Sequence, residues 1–118
     1  MARTAVPVTP APTHVAFAAL SAVTFTAADI VNLNQVALTG SEVLLVRNAD
    51  GAAPHNVSIT SVPDLHGRTK DLLLQAIPAN GIVVSPRFTV DAWRQSDGNL
   101  YFSADSIQIQ FAVIKLLF

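Results

Sequence analysis

The chain has 118 residues, enough for one ordinary domain, and is 51% apolar but only 13% charged, against about 25% charged in a typical domain. Seven Lys/Arg against eight Asp/Glu leave a net charge of −1 with no run of like charge, so the basic stripe of a nucleic-acid binder is missing. The absence of cysteine excludes disulfides, thiol catalysis and Cys-ligated zinc, and the chain is too apolar and too weakly charged for disorder.

Taken in chain order, residues 1–14 read as an extended arm. Pro7, Pro10 and Pro12 fix φ and remove N–H donors, which favours a polyproline-like course. They also interrupt any apolar region that a signal peptide would need. The segment is either a frayed end or an arm that orders along a neighbouring subunit, with Val6, Val8 and Val15 as its anchors. In the second case its removal leaves the isolated fold intact.

The run Val15–Ala28 is too short for a membrane span and carries Ser21, Thr24 and Thr26. Its alanines suit a helix, whereas Val23-Thr-Phe-Thr26 suits a strand.

From Val36 onward the pattern is that of β-structure. Asp50-Gly51, Asn80-Gly81 and Asp97-Gly98 tolerate positive φ and suit tight turns between antiparallel strands. The runs between such turns are Glu42–Arg47, His55–Val62, Leu72–Ile77, Ile82–Val90, Leu100–Ser103 and Ser106–Leu117. In the last, alternation places Ile107, Ile109, Phe111 and Val113 on one face. In His55–Thr60 it turns Val57 and Ile59 inward. Pro63, Pro78 and Pro86 fall at strand ends or edges. Six or seven short strands without a long amphipathic helix predict an all-β fold, an antiparallel, jelly-roll-like β-sandwich over residues 15–118 behind the extended N-terminal arm.

Chemistry is sparse. No glycine loop for a nucleotide and no paired-histidine metal motif occurs, and no residue stands in a nucleophile-elbow context. The segment Asp64-Leu-His66-Gly-Arg68-Thr-Lys-Asp71 could offer three mixed metal ligands. The preferred reading is a polar connection, in which Asp64 or Asp71 satisfies turn amides and Arg68 pairs with a carboxylate. No catalytic residue, metal or cofactor is therefore expected. Trp93, Arg94 and Tyr101 lie in the most individual stretch, Ala92–Phe102. They read either as an aromatic platform for a sugar or partner surface, or as a hairpin whose aromatics close the core edge.

The string Trp93-Arg-Gln-Ser-Asp-Gly98, with Tyr101-Phe102 and Ile109-Gln-Phe-Ala-Val-Ile-Lys-Leu116, resembles small virion proteins of tailed bacteriophages. Asp64-Leu-His-Gly-Arg68 and Asp71 fit the same pattern, so the resemblance covers roughly Val43 to Leu116. It implies a capsid decoration (cement) protein without catalytic residues. Such a protein sits on the outer capsid surface after synthesis in the host cytoplasm, bound to the major capsid protein, often as a homotrimer. It needs neither nucleic acid nor membrane. The alternatives are another head–tail or tail component, or a carbohydrate- or receptor-binding sandwich. The apolar finish Leu116-Leu117-Phe118 is expected to be buried in the domain or at a subunit interface.

Overall fold

A computed structural model describes residues 2–11 and 23–116, which form an all-β sandwich of two packed sheets. Val15, Leu117 and Phe118 lie outside the described residues. In chain order the elements are β1 (Thr4–Ala5), β2 (Val8–Pro10), β3 (Thr26–Ala27), β4 (Asn34–Ala37), β5 (Glu42–Asn48), β6 (His55–Thr60) and β7 (Leu72–Ile77). There follow β8 (Ile82–Val84), one helical turn α1 (Val90–Trp93), β9 (Asn99–Ala104) and β10 (Ile109–Lys115). One sheet has the order β1-β4-β9-β6-β7; the other has the order β2-β10-β5-β8, with β3 also paired to β10.

Period-two alternation builds the core. In β5, Glu42, Leu44, Val46 and Asn48 are buried while Val43, Leu45 and Arg47 are half-buried; in β6, Val57 and Ile59 point inward as their spacing requires. Phe102 of β9 and Phe111 of β10 meet edge-to-face between the sheets, with ring centroids 4.7 Å apart. Among the described residues the buried polar side chains of Asn34, Glu42, Asn48 and Ser61 are hydrogen-bonded, whereas Asn32 Oδ1 is buried without a partner. Asn48 donates through Nδ2 to the carbonyls of Ala53 and Ile77 and accepts the Asp50 N–H through Oδ1. It thereby ties the ends of β5 and β7 to the turn between β5 and β6, and avoids the cost of a buried unpaired amide.

Most strand pairs are antiparallel, but the two formed by the first ten residues are parallel. Thr4 and Ala5 pair with Asn34 and Gln35, and Val8–Pro10 pair with Val113–Lys115. The chain thus adds an edge strand to each sheet and crosses between them at Val6, which is 3% exposed. Val6 lies in the core of its own sandwich, and this short crossing seals one flank of it.

Three local expectations need correction. The turns at Asp50-Gly51, Asn80-Gly81 and Asp97-Gly98 form, yet none joins two strands that pair with each other. The first two carry the chain from one sheet to the other, and the third leads from α1 into β9. A tight turn fixes reversal of direction, while which strands pair depends on burial of both faces. Among the described residues, the only consecutive strands that pair are β6 and β7, across the loop 61–71. The strand expected over Ile82–Val90 ends at Val84, and Val90 opens α1. Ile107 does not share the face of Ile109. It is 60% exposed in a turn where Ser106 Oγ accepts the Gln108 N–H and the Ser106 carbonyl accepts the Ile109 N–H.

Candidate functional site

Two regions bear on function: the aromatic stretch singled out by sequence, and the flank opposite Val6. In the first, Trp93 ends α1 and packs edge-to-face on Phe88, with centroids 4.9 Å apart, against the core. Arg94 is exposed, and its backbone N–H caps the turn on Val90. Tyr101 faces outward from β9, where alternation puts it between the buried Leu100 and Phe102. Its hydroxyl donates to Asp97 Oδ2 at 2.5 Å. That bond, with desolvation and the negative charge, raises the Tyr101 pKa, and it is the largest influence lowering that of Asp97. The Arg3 guanidinium covers the Tyr101 ring, 4.1 Å from its centroid. Trp93 thus packs against the core edge and Tyr101 under Arg3, so the aromatics do not form an open platform; nor is the stretch the expected hairpin, because Asp97-Gly98 leads from a helical turn into β9.

The polar loop between β6 and β7 behaves as a connection. The Asp64 carboxylate accepts the backbone N–H groups of His66 and Arg68 and pairs with Arg68 Nε at 2.9 Å. Those hydrogen bonds, the Arg68 backbone first, hold its pKa below the ordinary carboxylate value. Asp71 accepts both the N–H and the hydroxyl of Ser61. Among the described residues, no group of three or more His, Asp or Glu stands close enough to hold a metal ion.

The flank opposite Val6 is different. There β7 and β8, the end strands of the two sheets, leave a cleft of about 240 Å³ that reaches the core residues Leu44, Val46, Val57, Ile59 and Ile77. No charged residue lines it. Four large hydrophobics stand exposed on the same two strands, each 52–68% exposed: Val84, which lines the cleft, and Ile82 on β8, and Leu73 and Leu74 on β7.

The exposure on β7 has a backbone cause. Val57 pairs with Gln75 but Ile59 pairs with Leu72, so β7 carries one extra residue and bulges outward. Leu74 takes φ +52° there, a left-handed conformation that costs a non-glycine residue energy, and its N–H donates to Ser58 Oγ. The bulge turns two successive leucines to solvent instead of one.

Of the residues expected to make contacts, Val8 is 40% exposed on β2, while Leu116 is half-buried with its N–H donating to the Ser41 carbonyl. Neither belongs to the open flank. Leu73, Leu74, Ile82 and Val84 were not singled out by sequence. The available signal was the uninterrupted triplet Leu72-Leu73-Leu74, which breaks the alternation of a strand with one solvated face.

Comparison of the chain with family models, curated proteins and solved structures finds no match.

Proposed function

We propose that this chain is a structural virion protein, a capsid decoration protein. It binds the outer shell at capsomer junctions, as a homotrimer, and stabilises the shell without any cofactor. The observation that carries this reading is the open apolar flank in a domain whose described charged side chains sit largely in turns and loops.

An edge strand is a liability unless it is short, charged, proline-bearing or covered. The end strands β1 and β2 are two and three residues long and flank Pro7, and β8 is three residues long, two positions before Pro86. β7 is longer, six residues Leu-Leu-Leu-Gln-Ala-Ile without charge or proline, and its protection is confined to the bulge at Leu73–Leu74 and to Asp71 and Pro78 beside its ends. Covering it with protein removes the liability, and charge-depleted apolar patches of this kind form interface cores. The sequence resemblance supplies the particular setting, a phage shell.

The test uses shells assembled without this protein. Added protein is expected to co-sediment with them and to raise their disruption temperature. Shells that neither bind it nor gain heat resistance overturn the reading.

A further inference from the structure

We infer that residues 3–11 are an exchangeable arm, donated by one copy of this chain to the socket of the next. This deepens the oligomeric part of the preceding proposal and rests on it, but it uses the opposite flank of the sandwich.

The socket recognises an extended peptide. The N–H groups of Thr4 and Val6 donate to the carbonyls of Leu33 and Gln35, and that of Ala11 donates to the carbonyl of Lys115. Side chains add selectivity. Thr4 Oγ1 donates to Asp29 Oδ2 at 2.5 Å, the Arg3 guanidinium seats on the Tyr101 ring, and Val6 fills the core at 3% exposure. Main-chain bonds at a sheet edge, with pockets for particular side chains, are how folded domains take up strands from other chains. None of these contacts depends on which copy supplies the arm, so exchange conserves all of them.

The connection to the body is longer than docking on the same copy requires. Pro10 pairs with Lys115, and Thr26 pairs with Phe111, on one edge of β10, because β5 occupies the other edge. Those two positions on β10 are four residues apart, about 13 Å along the strand. Pro10 and Thr26 are sixteen residues apart in sequence, a span of roughly 50 Å when extended. The molecule measures 43 × 38 × 24 Å, so the same connection reaches a socket on an adjoining copy.

Dilute chains keep their own arm, since a tether holds it at an effective concentration on the order of millimolar. Copies held side by side match that concentration. Arm and socket are different surfaces of one copy, so donation runs head to tail and closes as a ring, as in a trimer.

Shells play no part in the test, so its failure and the failure of shell binding are separate results. Sedimentation of the wild-type protein is expected to show a ring-sized species that grows with concentration. The chain has no cysteine, and Ala5 pairs in register with Gln35, so A5C and Q35C put one thiol on the arm and one on the socket. In a concentrated mixture of A5C and Q35C chains, the mixed disulfide is expected to exceed both self-linked products. The double variant A5C/Q35C, oxidised when dilute, clips each arm to its own body and is expected to lose the assembled species until it is reduced. Wild-type protein that stays monomeric at every concentration overturns the inference. So does a mixture without the mixed disulfide, or assembly that persists in the clipped double variant.

Discussion

The Arg3 guanidinium lies 4.1 Å from the centroid of the Tyr101 ring, while its Nη1 donates to the carbonyls of Asn34 and Phe102. One side chain near the chain start therefore joins β1 to β4 and β9 through three contacts. Replacing Arg3 with Ala is expected to cost about 1–2 kcal/mol, from the lost cation–π contact and charge-assisted hydrogen bonds. Equilibrium urea unfolding measures this, and Tyr101 fluorescence should report the uncovered ring.

Val6 supplies the apolar part of the same anchorage. Truncation to Ala removes two methyl groups from a site that is 3% exposed, and is expected to cost about 2 kcal/mol. Deleting the first eleven residues should cost more, since it strips an edge strand from each sheet. Calorimetry of the truncated chain checks this. An unchanged thermal midpoint would mean that the arm is dispensable to the domain, as a purely intersubunit arm would be.

Trp93 packs on Phe88, so Trp93→Ala is expected to destabilise the fold by about 2–3 kcal/mol, below the range for a fully buried Trp because the ring is half-exposed. A folded variant of unchanged stability that lost binding to a glycan array would favour the platform reading instead.

Acid stability should depend on two carboxylates. Asp29 accepts the backbone N–H of Asn32, its strongest lowering influence, then the Thr4 hydroxyl and the Val31 N–H, and its pKa falls from 3.8 to about 2. For the 4%-exposed Glu42, burial alone is the largest influence and acts upward. Hydrogen bonds from the Thr39 hydroxyl and the N–H groups of Thr39 and Gly40 together outweigh it and lower the pKa from 4.5. Both folded values lie below the unfolded ones, so the stabilisation is complete above pH about 5 and is lost as pH falls through the folded values. The E42Q and D29N variants are each expected to lose stability at pH 7 and to show a shallower decline in acid. Urea midpoints across this range measure both.

Two glycines should answer differently to alanine. A Cβ at Gly81 would lie 2.7 Å from Pro78 Cγ and 2.9 Å from the Pro78 carbonyl oxygen, inside the turn joining β7 to β8. At Gly98 the space is open, and only its φ of +88° opposes a side chain. Gly98→Ala is expected to cost about 1 kcal/mol; Gly81→Ala should cost more, because backbone must move. Paired thermal melts of the two variants decide the order.

What could be read without a structure follows from local chemistry. Alternation in His55–Thr60 placed Val57 and Ile59 inside, because a strand's two faces differ in solvation. The polar neighbourhood of Asp64 and Asp71 made it legible that one of them satisfies turn amides and that Arg68 pairs with a carboxylate, and Asp64 does both. Ile107 was misplaced because Ser106 Oγ offers the backbone a competing partner that hydrophobic spacing does not register.

Composition and periodicity by themselves determined an all-β domain, poor in charge, with core-facing residues on alternate positions of its longer strands. Only the tertiary structure decided which strands pair. It sent the Asp50-Gly51 and Asn80-Gly81 turns across the sandwich, paired the first residues in parallel with both sheets, and left β7 at the end of its sheet, paired with β6 alone. Pairing is settled by the simultaneous burial of faces far apart in sequence, which no local window contains. The low charge noted at the outset thereby gains a location: the uncharged flank between Leu74 and Val84.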